Sequence, residues 1–268
     1  MRDIKNKVAW ITGAGTGIGE GGAVALAEAG VNVILSGRRK DKLEEVAGRC
    51  GPKASIEVLD VSDKEAVFEV AERIAKDHGK IDILVNAAGI TDRGNIVNTS
   101  EELFDKMIGT NVKGPFFLIQ ETVKIMIDQG IHGSIINIGS VSALTGQPFI
   151  SAYCTSKGAL ATLTRNTAFA LLNNKIRVNQ LNIGWMASDG EHEIQTKYHG
   201  APEDWLKDAA KKQPFERLLD PNEVAKAVTF LASDDSGMMT GSVVNFDQSV
   251  WGGYPFSPPT PEGKISLD

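Results

Sequence analysis

Tyr153 and Lys157 are four residues apart, so on a helix they lie one turn apart on the same face. A tyrosine hydroxyl alone titrates at about pH 10 and is a poor base at neutral pH. An ammonium group one turn away favours the phenolate and lowers that pKa. A tyrosine tuned in this way can take a proton from a hydroxyl or donate one to a carbonyl oxygen. The pair therefore predicts acid–base chemistry at an alcohol or a carbonyl group.

Ser140 precedes this pair and follows the apolar run 134–138, which is typical of a strand. Its hydroxyl could hold a substrate oxygen beside the tyrosine. The pattern Tyr-x-x-x-Lys is weak by itself, because it also occurs on ordinary solvated helix faces. The elements that position these side chains must therefore decide between the two interpretations.

A glycine-rich loop follows the first predicted strand, 7–12, and precedes a predicted helix, 20–29. Strand, glycine turn and helix form the context that a dinucleotide-binding loop requires. The glycines let the backbone approach a pyrophosphate, and the helix N-terminus offers free N–H groups. The glycine spacing is G-x-x-x-G-x-G, and a simple tight turn remains the alternative. The candidate cofactor-binding residues here are Gly13, Thr16, Gly17, Ile18 and Gly19.

Two arginines, Arg38 and Arg39, follow the second predicted strand, 31–36. Enzymes that use NAD usually place an acidic residue near this point, where it binds the ribose hydroxyls. An arginine instead suits the 2′-phosphate of NADP. The sequence thus favours NADP(H) and leaves NAD(H) possible; the alternative is an ordinary charged start of a helix.

Predicted strands alternate with predicted helices along the whole chain. The later strands are expected at 55–59, 81–85, 134–138, 176–182 and 242–246. This alternation predicts an α/β fold: one Rossmann-type domain over 1–268, with a doubly wound parallel sheet of seven strands and helices on both faces. Ligands bind such sheets at the carboxyl ends of the strands. The glycine loop, residues 86–89, Ser140 and Gly184 all follow strands at that edge.

The composition excludes several classes of function. The chain has 268 residues, of which 42% are hydrophobic and 23% charged, which is typical of a soluble globular protein. Its net charge is −6 and it has no long basic run, so neither nucleic acid nor a membrane is expected as a partner. Two cysteines cannot form a disulfide framework, and no signal peptide precedes the first strand. We therefore expect a cytoplasmic enzyme with a small-molecule substrate.

The polar segment 185–214 is too long for a plain connection, and we expect it to form a lid over the carboxyl edge of the sheet. Trp185 at its start is a candidate substrate contact. An aromatic face with nearby acids suits a hydroxyl-rich substrate such as a sugar or polyol. His192 and His199 are interpreted as part of a polar lid helix, and no metal site is predicted. The proline-rich tail, 252–268, is expected to be irregular.

Taken together, these motifs resemble the short-chain dehydrogenase/reductase family in its compact form, and the resemblance covers residues 5–250. It is carried by the loop 12–19, by Asp60, by the Asn-Ala-Ala-Gly run at 86–89, and by the set Asn111, Ser140, Tyr153 and Lys157. The resemblance implies hydride transfer between a nicotinamide cofactor and an alcohol or carbonyl group.

The resemblance also implies a role for each member of the set. Tyr153 would be the general acid/base, and Ser140 would orient the substrate oxygen. Lys157 would bind the nicotinamide ribose and bias Tyr153, while Asn111 would hold a water in a proton relay. The family is commonly tetrameric, so a homotetramer with the Asn111 and Tyr153 helices at an interface is expected.

Further cofactor contacts are implied by the same resemblance. Asp60 would contact the adenine, with Val61 beside it. The other expected contacts lie in loops that follow the strands: Asn86, Ala87, Gly89, Gly184 and Ser188.

Three departures from the family pattern leave the substrate open. Ala87 replaces the second asparagine of Asn-Asn-Ala-Gly, and Ile183 replaces the proline of Asn-Pro-Gly. The usual glycine pair after the last strand is Gln248 and Ser249. Two alternatives to a sugar or polyol dehydrogenase therefore remain: a reductase of another ketone, such as a 3-oxoacyl substrate, and a catalytically idle dinucleotide-binding sensor.

Overall fold

Seven short runs of mainly aliphatic residues form one parallel sheet in the computed structural model, which describes residues 4–144 and 146–251. The sheet order is β3-β2-β1-β4-β5-β6-β7, and each neighbouring pair is parallel. The predicted doubly wound sheet is therefore confirmed, with strand ends shifted slightly. The strands are β1 (Val8–Thr12), β2 (Asn32–Gly37), β3 (Ala54–Val58), β4 (Ile83–Asn86), β5 (Ser134–Ser140), β6 (Arg177–Ile183) and β7 (Val243–Phe246).

Helices cover both faces of this sheet. The α-helices of the described ranges are α1 (Gly17–Glu28), α2 (Lys40–Cys50), α3 (Lys64–His78), α4 (Glu101–Ile108), α5 (Gly114–Asp128), α6 (Ser151–Ala170), α7 (Asp189–His199), α8 (Trp205–Lys211) and α9 (Pro221–Ala232). In this part of the chain, none of them is long and apolar enough to cross a membrane.

The core has two apolar layers because side chains alternate along each buried strand. In β1, Ala9 and Ile11 pack into one layer, while Val8 and Trp10 pack into the other. Helices α1 and α9 cover the first layer, and α3 and α5 cover the second. A sheet buried on both faces needs strands that are apolar at consecutive positions, which is why the strand runs are so clear in the sequence.

A chain of buried polar side chains crosses the centre of the sheet. Asn86 Nδ2 donates to Asn137 Oδ1 at 2.8 Å, and Asn137 Nδ2 donates to Thr164 Oγ1 at 2.9 Å. Thr164 Oγ1 in turn lies 3.1 Å from Gln180 Oε1. All four residues are buried, so water cannot reach their polar groups. Each hydrogen bond therefore gives a buried polar group a partner that it would otherwise lack. The network ties β4, β5 and β6 to α6 below the strand ends.

Asn137→Ala should therefore lower the free energy of unfolding by about 2–4 kcal/mol, because it leaves the buried Asn86 amide without its partner and removes one hydrogen bond of Thr164. Urea unfolding followed by circular dichroism would measure the loss. The exposed Asn173 gives a matched control, since Asn173→Ala removes the same atoms from the surface. A loss at Asn137 as small as that at Asn173 would show that the network contributes nothing to stability.

The segment 185–214, which is predicted to be a lid, contains α7 and α8 and lies between β6 and α9. Its polar composition did not predict that it has a small buried cluster, in which Trp205 is 7% exposed and packs with Ala209 and Leu218. Two backbone hydrogen bonds anchor the start of the lid: Ala187 N to Leu219 O at 2.9 Å and Leu219 N to Trp185 O at 3.0 Å. The predicted irregular tail, 252–268, lies outside the described residues.

Candidate active site

The sheet brings Ser140, Tyr153 and Lys157 to one cavity at the carboxyl ends of the strands. Ser140 is the last residue of β5, while Tyr153 and Lys157 lie in the first two turns of α6. The cavity has a volume of about 670 Å³, and these three side chains line it together with Gly184, Trp185 and Ser188. The spacing prediction of one shared helix face is thus met in three dimensions.

Tyr153 is hydrogen-bonded to Ser140, but its acidity differs from the sequence-based expectation. Burial raises the pKa of the Tyr153 hydroxyl above its usual value, and the hydrogen bond with Ser140 only partly offsets that rise. The pKa lowering expected from Lys157 is therefore wrong for the protein alone. The reason is that desolvation penalises the phenolate more than the nearby groups favour it.

Lys157 is only 5% exposed, and its Nζ donates to the backbone oxygen of Ile138 at 2.8 Å. Burial lowers the pKa of this lysine to about 8. Nζ lies 5.7 Å from the centre of the Tyr153 ring. A Cβ atom at Gly89 would lie 3.5 Å from Nζ and 3.4 Å from Asn111 Oδ1, so a glycine keeps the space beside the ammonium open.

Asn111 lies in a π-helical turn, Gly109–Lys113, that separates α4 from α5. Its Nδ2 lies 3.0 Å from both Ile90 O and Ser156 Oγ, and its Oδ1 accepts from Ile90 N at 3.0 Å. The amide thus braces the loop after β4 against α6. Asn111 does not line the cavity, and a water of the predicted relay would have to bind an oxygen of this residue.

A second cleft of about 400 Å³ runs beside the glycine loop and fits the phosphates of a dinucleotide. Gly13 has φ +66°, and a Cβ atom there would lie 2.7 Å from Ala88 N, so the loop packs tightly on the β4 edge. Gly17 has φ +59° and faces open space at the N-terminus of α1. The N-cap residue Thr16 makes no side-chain cap, which leaves the N–H groups of this helix end free for an anion.

The two predicted arginines border this cleft together with Asp60 and Val61. Arg38 Nη1 lies 4.0 Å from Asp60 Oδ2, and Arg39 Nη2 donates to Thr16 Oγ1 at 3.4 Å. Burial opposes ionisation of Asp60, yet two hydrogen bonds from Ser62 hold the pKa of the Asp60 carboxyl below its usual value. The cleft thus combines a carboxylate with two guanidinium groups.

The other predicted cofactor residues occupy several positions around the two clefts. Ile18, Ala87 and Gly184 line the larger cavity, and Gly89 borders both. Gly19 packs so closely on the Gly13 carbonyl that a side chain would collide with it.

Two predicted cofactor residues already have structural partners. The hydroxyl of Ser188 accepts from Glu191 N at 3.2 Å and caps α7. Asn86 is buried and supports the sheet network through its nitrogen, while its Oδ1 has no hydrogen-bond partner among residues 4–144 and 146–251.

Trp185 lines the cavity and is 36% exposed. Its ring stacks on Trp205 with centroids 5.8 Å apart, and its Nε1 donates to Glu191 Oε1 at 2.7 Å. Trp205 Nε1 donates to His192 Nδ1 at 3.0 Å, and His192 Nε2 lies 3.2 Å from Glu203 Oε2. His192 therefore supports the lid, and the described residues contain no group of side chains suited to hold a metal.

Several cavity residues were missed by sequence reasoning. The new members are polar and come from the loop after β4, the segment before α6 and the helix α7: Arg93, Gln147, Glu191, Gln195 and His199. The α7 residues could have been found only from the phase of a mostly polar helix, in which Ile194 is the one aliphatic side chain and also lines the cavity. No motif marks Arg93, which lies in an irregular loop.

Comparisons with known proteins find that this chain is similar to oxidoreductases. A family profile described as "Enoyl-(Acyl carrier protein) reductase" matches residues 13–250. An uncharacterized oxidoreductase of Thermotoga maritima is 40% identical over 91% of this chain and 97% of its own length. Galactitol 2-dehydrogenase of Agrobacterium fabrum is 35% identical over 92% and 98%, and the 3-oxoacyl-[acyl-carrier-protein] reductase FabG of T. maritima is 36% identical over 91% and 97%.

Among solved structures, that of NAD⁺-bound xylitol dehydrogenase superimposes with a TM-score of 0.85 at 31% identity, over 92% of this chain and all of that one (100%). The fold and the site together define a dinucleotide-dependent oxidoreductase with a Rossmann-type sheet. The chain belongs to the short-chain dehydrogenase/reductase family.

Proposed function

We propose that this enzyme oxidises a secondary hydroxyl of a hydroxyl-rich substrate, such as a sugar or polyol, or reduces the matching ketone. The observation that carries the proposal is the hydrogen-bonded pair Tyr153 and Ser140 beside Lys157. Their cavity has apolar and polar walls, and the polar side chains can bind further hydroxyls of such a substrate. Galactitol and xylitol dehydrogenases among the relatives support the same substrate class.

In this proposal Ser140 and Tyr153 hold the reacting oxygen between them. Tyr153 takes the hydroxyl proton during oxidation and returns it during reduction. The bound dinucleotide supplies the hydride acceptor or donor, and the positive charge of its oxidised ring favours the phenolate that burial of Tyr153 disfavours. Lys157 binds the nicotinamide ribose from the floor of the cavity. Asn111 is proposed to hold the water of the proton relay through an oxygen atom.

The cofactor is proposed to occupy both clefts. Its phosphates would lie on the loop of Gly13, Gly17 and Gly19, and its adenine would lie near Asp60 and Val61. Arg38 and Arg39 favour NADP(H), because either guanidinium can reach over the open side of the cleft to a 2′-phosphate. The NAD⁺-bound relative keeps NAD(H) as the alternative.

Arg38→Ala combined with Arg39→Ala should abolish a preference for NADP(H), raising its Kd by about 10- to 100-fold through the loss of charge-assisted hydrogen bonds. The Kd for NAD(H) should change by less than about threefold, since NAD(H) has no 2′-phosphate. Titration by nicotinamide fluorescence measures both constants. Wild-type protein that binds NAD(H) tenfold more tightly than NADP(H) would contradict the NADP assignment.

Two other functions remain alternatives. The acyl-carrier-protein reductase relative favours a 3-oxoacyl substrate. A catalytically idle sensor would bind the dinucleotide without turnover; the intact Asn111, Ser140, Tyr153 and Lys157 set is evidence against it, because a sensor has no need of an acid–base group.

A homotetramer is also proposed. Phe116 on α5 and Phe169 on α6 are large apolar side chains that are 47% and 78% exposed, and they lie on the helices that the family places at an interface. The free thiols Cys50 and Cys154 suit the reducing cytoplasm.

A substrate panel tests the proposed function. Purified protein would be mixed with polyols, sugars and 3-oxoacyl thioesters with both cofactors, and nicotinamide absorbance would be followed. Turnover of a polyol or sugar supports the proposal, and faster turnover of a 3-oxoacyl thioester would favour the alternative reductase. Tight cofactor binding without any turnover would favour the sensor.

A further inference from the structure

Arg93 is a charged side chain that lines the cavity of Ser140 and Tyr153. Among residues 4–144 and 146–251, this arginine takes part in no ion pair. Its neighbour Asp92 pairs with Lys106 at 3.0 Å instead. Within the same described ranges, the buried Nε of Arg93 has no hydrogen-bond partner. The charge of this arginine thus has no counterion among the described residues, which suits an anionic ligand.

The guanidinium is held in place mainly by aromatic surfaces. It lies 5.3 Å from the ring centre of Phe149 and 5.7 Å from that of Tyr198. Nη2 is 3.0 Å from His199 Nε2, and Nη1 donates to Thr91 O at 3.3 Å. A guanidinium has five N–H donors, so these two contacts leave most of its donor edge for a ligand. Aromatic stacking fixes its orientation without neutralising its charge.

Glu191 places a carboxylate, opposite in charge to Arg93, in the same cavity. Its Oε1 accepts from Trp185 Nε1 and from Gln195 Nε2, each at 2.7 Å. No ion pair joins Glu191 to Arg93 in the described part of the chain. Both charges act on the hydroxyl of Tyr153: Glu191 raises the pKa of that group and Arg93 lowers it. The reacting oxygen therefore lies within the fields of an anion-binding group and a carboxylate.

We infer that the substrate is a polyhydroxy acid, whose carboxylate binds Arg93 while one of its hydroxyls donates to Glu191. This deepens the proposed function and rests on it. At the reacting carbon the hydroxyl proton passes to Tyr153 and the C–H hydrogen leaves as hydride to the oxidised dinucleotide. The products are the oxo acid and the reduced dinucleotide, and the carboxylate is unchanged. A planar carboxylate can accept two parallel N–H bonds from one guanidinium, which a neutral hydroxyl cannot do.

Matched pairs of ligands test this inference. D-galactonate and galactitol differ at one end group, as do D-xylonate and xylitol. With wild-type protein, kcat/KM should be at least about tenfold higher for an acid than for its polyol. Arg93→Met should lower kcat/KM for the acid by about 10- to 100-fold more than it lowers kcat/KM for the polyol. Arg93→Lys should restore part of the loss, because lysine keeps the positive charge but lacks the two parallel N–H donors of a guanidinium.

Arg73→Met provides the control for the substitution itself. Arg73 pairs with Glu57 at 2.9 Å on the surface and does not line the cavity. Its replacement should leave the acid-to-polyol ratio of kcat/KM unchanged. Calorimetry of both acids binding to the protein saturated with reduced dinucleotide, which cannot accept a hydride, gives a readout that does not depend on turnover.

The outcomes separate this inference from the proposed function. If Arg93→Met lowers kcat/KM for acid and polyol equally, Arg93 only supports the lid and the inference is wrong. The inference is also wrong if wild-type protein turns over the polyols faster than the acids, but the proposed oxidation would then stand. It is wrong as well if wild-type protein binds neither acid. Acid binding that depends on Arg93, without any turnover, would support the anion site and contradict the proposed oxidation.

Discussion

Tyr153→Phe should lower kcat by about 10²- to 10⁴-fold, the usual contribution of a general acid or base. Phenylalanine keeps the ring and its packing in α6 but removes the hydroxyl that bonds Ser140. The Kd for the dinucleotide should change by less than about threefold, because the glycine loop and the Asp60 cleft are untouched.

Steady-state kinetics and a fluorescence titration of the cofactor would test both halves of this prediction. Tyr198 gives a control: it is another tyrosine of the lid region, 45% exposed, and Tyr198→Phe keeps the ring that Arg93 contacts. A Tyr153→Phe enzyme whose kcat stayed within threefold of wild type would remove the acid–base role from Tyr153.

Lys157→Met should damage two properties at once. We expect kcat to fall by about 10²-fold or more, since the bound nicotinamide ribose would lose the lysine proposed to position it beside Tyr153. The Kd for the dinucleotide should rise by about tenfold, because Lys157 is also the proposed partner of the ribose hydroxyls. A variant that lost turnover but kept wild-type cofactor affinity would show that Lys157 acts in turnover and does not bind the ribose hydroxyls.

The same variant should also change how stability depends on pH. Burial lowers the pKa of Lys157 from its ordinary value of 10.5 to about 8, so the protein loses affinity for this proton when it folds. The buried ammonium therefore lowers the free energy of unfolding by its full amount below pH 8, and this destabilisation disappears as the pH rises toward 10.5. Wild-type protein should thus gain about 2 kcal/mol of unfolding free energy from Lys157 between about pH 7 and 9.5.

Urea unfolding of wild type and Lys157→Met at these two pH values measures that difference. The variant should lack the gain, since methionine does not titrate. Keeping below about pH 10 avoids ionisation of Tyr153 in the unfolded chain, which would act in the opposite direction. Equal pH dependence in the two proteins would show that Lys157 is not buried as a cation.

Much of the fold could be predicted because its signals are local. Apolar runs such as β1 and β5 are buried on both faces, and each is followed by a residue type with a clear role at the strand end. A serine followed by two glutamates is a local signal for a helix start, and the Ser100 hydroxyl accepts from Leu103 N at 3.1 Å at the start of α4. Parallel topology then places Ser140 beside Tyr153 without further information.

The pKa of Tyr153 and the polar wall of the cavity could not be predicted in the same way. Burial decides that pKa, and burial depends on residues far apart in the chain. Arg93 and Glu191 reach one cavity from the loop after β4 and from α7, about a hundred residues later. Polar residues at such positions usually face solvent, so the sequence gives no sign that these two face inward.

Isotope transfer tests the central claim most directly. Wild-type protein would be incubated with oxidised dinucleotide and a polyol or aldonate carrying deuterium on its carbinol carbons, and the cofactor would be analysed by mass spectrometry. The proposed function predicts deuterium on the nicotinamide ring with wild-type protein. With Tyr153→Phe the transfer should be slower by at least about 10²-fold. A bound cofactor that gains no deuterium from any of these alcohols, or equal transfer by both proteins, would contradict it.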